Sequence, residues 1–155
     1  VDQTTLQAVN SKSYTMYVDD LKVGDAAQTT ASAGFDLNIT KQFSIDGNWE
    51  YYDRLYAQFN PTFFKTTADK DKGVVKVPSY HLLDAGATYK MFFVNKKELV
   101  FRVNVYNLLN KKYISELTTN THATSTSTLY NGVDVTNQGF IGFGRTWSAS
   151  AIFRF

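Results

Sequence analysis

Residues 141–155 read IGFGRTWSASAIFRF, and their side chains divide by parity. Ile141, Phe143, Arg145, Trp147, Ala149, Ala151, Phe153 and Phe155 hold the odd positions, and Gly142, Gly144, Thr146, Ser148, Ser150, Ile152 and Arg154 the even ones. A strand sends alternate side chains to opposite faces, so one face is apolar and the other small or polar. From Trp147 to Phe155 the apolar face carries no charge. Nine residues at roughly 3.3 Å each, tilted about 40°, span on the order of 23 Å, near the roughly 25 Å apolar band of an outer-membrane barrel. The stretch reads as the closing strand of a transmembrane β-barrel. Trp147 and Phe153 fall in interfacial aromatic girdles, with Phe155 at the far end, and Arg145 lies just beyond the band.

Composition agrees with that reading. Aromatic residues make up 15% of the 155 residues, mostly ten Tyr and twelve Phe, an enrichment that suits strands and membrane interfaces. A net charge of +2, without long charge runs, gives no basis for a nucleic-acid partner. With no Cys, disulfides and thiolate metal sites are excluded. The uninterrupted apolar runs are far shorter than the roughly 20 residues of a membrane helix. No signal peptide opens the chain, so the expectation is a mature protein or a portion of a longer one.

The same alternation recurs upstream. Residues 1–27 read as a rim or extracellular segment with at most one strand, near Tyr14–Val18, and residues 28–155 as barrel strands. Thr29, Ala31, Ala33, Phe35, Leu37 and Ile39 share one face of a strand that ends at the turn Thr40-Lys41-Gln42. The next strand, Phe43 to about Phe59, sets Phe43, Ile45, Gly47, Trp49 and Tyr51 against Ser44, Asp46, Asn48, Glu50 and Tyr52. Asn60-Pro61 ends it and opens a long polar loop over about 60–79. Leu83, Ala85, Ala87, Tyr89, Met91 and Phe93 follow in phase, and the tight connection Val94–Lys97 leads to Leu99, Phe101, Val103 and Val105. A Thr/Ser/Asn-rich loop over about 114–138 precedes the closing strand.

Short, long, short and long connections are the asymmetry of outer-membrane barrels. A soluble β-sandwich also alternates, but its strands are usually about five to six residues long, and these keep phase for nine or more. Five or six strands cannot close a membrane barrel, whose minimum is about eight, and an open edge in lipid costs several kcal/mol per unpaired group. The expected class is therefore all-β: the C-terminal five or six strands of a larger antiparallel transmembrane barrel.

Particular residues resemble a known family. Val103-Asn104-Val105-Tyr106-Asn107-Leu108-Leu109-Asn110-Lys111-Lys112-Tyr113 resembles the penultimate strand of TonB-dependent outer-membrane transporters, and Gly142–Trp147 with the terminal Phe155 resembles their last strand. Leu21–Gln28, Tyr51-Tyr52-Asp53-Arg54-Leu55-Tyr56-Ala57 and Val77-Pro78-Ser79-Tyr80 resemble the SusC-like subgroup. The likeness covers about residues 14–155 and rests on the order and spacing of these motifs. It implies a 22-stranded barrel in the bacterial outer membrane, occluded by an N-terminal plug and opened by the TonB complex. It also implies nutrient import (glycan, peptide or metal chelate) and a SusD-like surface lipoprotein as partner. The plug and the TonB contact lie outside this chain. Phe155 resembles the terminal aromatic read by the barrel-assembly machinery, and it is equally a girdle residue.

No enzymatic chemistry, metal or cofactor is expected. His81 and His122 lack neighbouring ligands at zinc spacing. Asp36, Asp46, Glu50, Asp84, Arg54, Lys90, Arg102 and Arg154 read as a mixed-charge, hydrated lumen wall rather than a catalytic cleft. The glycines of Gly142-Phe143-Gly144 permit close packing or sharp curvature, and their context is not that of a phosphate loop. Tyr130 and Asn131, in the second long loop, are the candidate ligand-facing residues, an aromatic platform and an amide beside a Gly turn. Two rival readings stay open at this point: a complete small barrel with a structural or adhesive role, closed by self-association, and a soluble β-sandwich binding module.

Overall fold

The computed structural model describes residues 13–94 and 97–155. The strands are β1 (Thr29–Asn38), β2 (Phe43–Asp53), β3 (Leu55–Tyr56), β4 (Lys76–Val77), β5 (Tyr80–Phe92) and β6 (Glu98–Tyr106), followed by β7 (Ile114–Leu117), β8 (Leu129–Tyr130), β9 (Val133–Asp134), β10 (Gly139–Ile141) and β11 (Thr146–Arg154). β1, β2, β5, β6 and β11 form one antiparallel sheet in that order. Among the described residues no strand pairs with the outer edge of β1 or β11, so the sheet is open. No described helix is long and apolar enough to cross a membrane.

The register keeps parity across all five strands, which alternation within single strands does not guarantee. Leu37, Ile45, Ala87, Val103 and Ala149 lie in one row, and Phe35, Gly47, Ala85, Val105 and Trp147 in the next. The other face carries the row Asp36, Asp46, Gly86, Asn104 and Ser148. The apolar face is uncovered, with Leu37 53% and Val103 46% exposed. Its aromatics cluster by height. Phe43, Tyr89, Phe101 and Phe153 mark the short-turn end, and Trp49, Tyr51 and Trp147 the long-connection end. Gly47 lies opposite Phe35, whose ring occupies the space a Cβ would fill, 2.6 Å away, so the aromatic covers the backbone that glycine leaves bare.

Two short connections close one end of the sheet. The Thr40 hydroxyl accepts from the backbone N–H groups of Gln42 at 3.1 Å and Phe43 at 2.9 Å, a side-chain turn that spares the chain a glycine. In the second, Phe93 N–H donates to the Lys97 carbonyl at 2.8 Å. Asn95 and Lys96 of this connection, and residues 1–12 of the N-terminal segment, lie outside the described residues. The remainder of that segment, including Tyr14–Val18, pairs with no strand, and Tyr17 N–H instead reaches the Phe64 carbonyl at 2.8 Å.

The buried core is not in the sheet. It lies in the two long connections, where Leu55, Ala57, Val77, Ile114, Leu117 and Val133 pack together with Ala27, Val74, Val75 and Tyr130 against them. The expectation of plain polar loops at about 60–79 and 114–138 is thus corrected. The first holds a 3-10 turn (Pro61–Phe63) and helix α1 (Thr67–Lys72), and the second holds β7, β8 and β9. α1 starts at a capping box in which Thr66 and Asp69 satisfy each other's backbone N–H groups at 3.1 Å.

Two strands are also shorter than the sequence suggests. β2 stops at Asp53 rather than near Phe59, because Arg54 turns the chain at φ 54°. The closing strand is not continuous over 141–155 but splits into β10 and β11 around 142–145. The cause is a length mismatch: between β6 and β7 the chain spends residues 107–113, and between β10 and β11 only 142–145. The excess is taken up by a turn with Asn107 at φ 50° and Asn110 at φ 51°, left-handed values that asparagine tolerates best among non-glycine residues.

Candidate functional site

Two surfaces carry polar chemistry. The first is the polar face of the sheet. Asp36 and Asp46 stand directly opposite each other, a repulsive pairing of like charges. Arg102 offsets it from two strands away, its guanidinium 3.0 Å from the Asp46 carboxylate while Nε donates to Asn104 at 2.9 Å. Asn104 in turn reaches the Ser148 hydroxyl at 3.3 Å, so one network crosses β2, β6 and β11. Nearer the long connections, Tyr52 donates to Glu50 at 2.9 Å, and the rings of Tyr52, Tyr80 and Tyr113 stack at 4.9 and 4.2 Å. The Tyr113 ring lies where a Cβ on Gly142 would be, which gives that glycine its packing role. Arg154 pairs with Glu98 at the short-turn end. The acids and bases named from the sequence therefore line one mixed-charge face, on which Arg102 pairs with Asp46 and Arg154 with Glu98, while Glu50 and Asp84 accept from the Tyr52 hydroxyl and the Asn107 N–H. Arg54 departs from it, since it lies past β2 and donates from Nε to the Thr29 hydroxyl at 2.5 Å.

The second surface is the layer of long connections. Side chains lace it together: Gln58 donates to Glu116 at 2.8 Å, and the Asn120 side chain accepts from Val75 N–H at 2.7 Å. Lys70 of α1 pairs with Asp19, which ties residues 13–25 to the layer, lowers the Asp19 carboxyl pKa and raises that of the Lys70 ammonium. An open groove of about 850 Å³ lies between residues 58–73 and 118–124.

Tyr130 and Asn131 sit apart from that groove. Tyr130 packs half-buried against the loop core, and Asn131 with Gly132 forms the two-residue turn of the β8–β9 hairpin, at φ 50° and 82°. Both residues need positive φ for a turn of this kind, so Asn-Gly is explained by hairpin geometry. Trp147 is 74% and Phe155 97% exposed, and Phe153 and Phe155 stand 6.2 Å apart on the apolar face. His122 is half-buried with Nε2 3.2 Å from the Gly73 carbonyl, and His81 is exposed opposite Tyr51. Among the described residues no three His, Cys, Asp or Glu converge on a common point. The groove residues escaped sequence reading because they lie far apart in the chain and share no spacing.

Below the β8–β9 turn, Asp134 accepts from the Ser127 hydroxyl and from the Thr136 hydroxyl at 2.6 Å and backbone N–H at 2.8 Å, and these bonds hold its carboxyl below the usual carboxylate range. A lowered folded-state pKa adds stability that is fully present above the unfolded value of about 3.9 and is lost as pH falls through the folded value. The hairpin is expected to keep its amide protection at pH 5 and to loosen only below about pH 4. Hydrogen exchange at Thr136, corrected for intrinsic rate, reads this directly. An Asp134→Asn variant that kept the same pH dependence would refute the assignment.

Compared with known proteins, the chain matches no family model, no curated protein and no solved structure.

Proposed function

We propose that this chain is a transmembrane segment of a bacterial outer-membrane β-barrel, and that the barrel is a TonB-dependent, SusC-like importer of nutrients. One observation carries the reading: five in-register strands present an uncovered apolar face, bounded by aromatics at both heights, and between those heights the charges are confined to the other face. A soluble protein rarely leaves so large an apolar surface to water, whereas lipid covers it at no cost. Short turns at one end and folded connections at the other match the periplasmic and external ends of such a barrel. The two unpaired edges call for more strands of the same barrel, because an open edge in hydrocarbon costs several kcal/mol per group.

The importer assignment is finer and rests on the motif resemblance, with Phe155 as an assembly signal and the plug, TonB complex and surface lipoprotein as partners. The loop layer supports it by supplying a structured external surface above a polar wall, the arrangement a gated import path requires.

Spin labels placed singly along β11 of the intact protein in outer-membrane vesicles test the topology. Labels at positions 147, 149, 151 and 153 are expected to be accessible to oxygen, and labels at 148 and 150 to a water-soluble nickel chelate. If the odd positions were shielded from both quenchers, the apolar face would be covered by protein and the membrane reading would fall. Loss of uptake in a strain lacking the gene, restored by the gene in trans, tests import.

A further inference from the structure

The outer edge of the chain carries a second apolar surface, one that lipid does not reach. Beyond the gap at 142–145, β10 continues the line of β11 and faces the β8–β9 hairpin across a crevice of about 320 Å³. Buried Ile114, Leu117 and Val133 form its floor, and its rim is Val135 at 52%, Phe140 at 62% and Ile141 at 62% exposed. From Trp147 in the girdle to Ile141 the chain climbs roughly 15 Å, at about 2.5 Å of height per tilted residue, so the crevice lies outside the hydrocarbon. Its charged and amide side chains are already committed. Asp134 accepts from the Ser127 and Thr136 hydroxyls. Asn137 accepts from the Thr119 hydroxyl at 3.1 Å and Thr121 N–H at 2.8 Å, and donates to the Thr121 carbonyl at 2.8 Å and the Asp134 carbonyl at 3.1 Å. An occupant is therefore held by apolar contact.

The backbone of β10 indicates what carries that apolar group. The Gln138 carbonyl accepts from Thr118 N–H at 2.8 Å, and Gly142 N–H donates to the Tyr113 carbonyl at 2.9 Å, so residues 138 and 142 face β7. Bonding direction alternates along an antiparallel strand, which turns the N–H and carbonyl groups of Gly139 and Ile141 away from β7. No described strand stands on that side of β10, nor on the outer side of β11. The two edges form one line, and an edge in hydrocarbon already requires a strand along β11. A strand that pairs with β11 and runs on past the membrane meets the free groups of β10 and brings alternate side chains over the crevice. A second copy of the chain could reach β10 only where that strand had already turned away.

We infer, on the strength of the barrel reading above, that β10 and its crevice seat an extension of the barrel strand next to β11. The extension continues the ladder outside the membrane and lodges an apolar side chain against Val133, Val135 and Phe140. Amide-resolved hydrogen exchange of the intact protein in lipid nanodiscs tests it. Protection of every β11 amide reports a closed barrel, and the Ile141 amide is then expected to exchange about a hundredfold or more below its intrinsic rate. Val135→Asp and, separately, Phe140→Asp put a charge at the crevice, and each is expected to raise the Ile141 rate about tenfold or more with β11 unchanged. Near-intrinsic exchange at Ile141 beside a fully protected β11 would show a bare edge and overturn the inference, with the barrel reading intact. Protection indifferent to both substitutions would remove the apolar occupant. Protection present in nanodiscs with several copies and lost in those with one would assign the edge to a second copy, and either result overturns the inference. Free exchange at alternate β11 amides would mean an open sheet, which overturns the barrel reading itself and the extension with it.

Discussion

Ala149→Arg is expected to destabilise the assembled protein by about 2–4 kcal/mol, while Ser148→Arg, one residue away, stays within about 0.5 kcal/mol. The two positions differ only in the face they occupy. Ala149 pairs with Val103 in the row that runs through Ala87, Ile45 and Leu37, midway between the aromatic clusters. A guanidinium there is near the centre of the hydrocarbon and too far from either interface to snorkel cheaply. Ser148 pairs with Asn104 in the row of the polar face that runs on to Asp46 and Asp36, where a cation meets water. The expected difference corresponds to a factor of roughly 30 to 1,000 in the folding equilibrium. Urea midpoints of the intact protein refolded into lipid vesicles measure it, and the amount of heat-modifiable protein in the outer membrane reports the same effect in cells. Equal effects of the two substitutions would show that the faces are misassigned. A harmless Ala149→Arg would place that face in water.

What the sequence made legible was the sheet and its phase, because both are local. A period of two across Phe35–Ile39, Phe43–Tyr51 or Trp147–Phe153 is written in consecutive residues, and burying or exposing one whole face fixes the register to within that parity. The end of β2 and the break before β11 were not legible, because they are set by single residues at positive φ. Arg54 gives no compositional sign of its turn, although the asparagines at 107, 110 and 131 do, since Asn is the non-glycine residue most often found there. The loop core was hidden for a different reason. Val77, Ile114, Leu117 and Val133 sit in short stretches with no shared period, and they become a cluster only when connections far apart in the chain meet. The groove inherits that obscurity, being formed by two segments that meet only after folding. Tyr130 and Asn131 drew attention because aromatic-Asn-Gly also describes a binding loop, and the hairpin accounts for Asn131 and Gly132 without a ligand.

Asn107 carries the second large effect, since its side chain joins the 107–113 turn to residue 143 at the point where β6 and β11 stop pairing. Its Nδ2 donates to the Lys111 carbonyl at 2.8 Å and the Phe143 carbonyl at 3.0 Å, its Oδ1 accepts from Lys111 N–H at 2.7 Å, and its own backbone N–H donates to Asp84 at 2.8 Å. The side chain thus replaces the ladder that the mismatch between 107–113 and 142–145 interrupts, at a residue only 5% exposed. Asn107→Leu leaves an N–H and two carbonyls without partners, at about 1–3 kcal/mol each, and adds roughly 1–2 kcal/mol for a branched side chain held at positive φ. Relaxation and water entry recover part of this, so a net loss of about 3–5 kcal/mol is expected. Asn107→Gly removes the same bonds without the backbone strain and is expected to cost about 1 kcal/mol less. The loss should be confined in space. Amides at Gly142 and Arg145, which donate to the Tyr113 carbonyl at 2.9 Å and the Asn110 side chain at 3.0 Å, should exchange faster, while those of β1, β2 and β5 keep their protection. Uniform loss across all five strands would mean that sheet and layer unfold as one unit, and undiminished protection at Gly142 would mean that the ladder does not depend on Asn107.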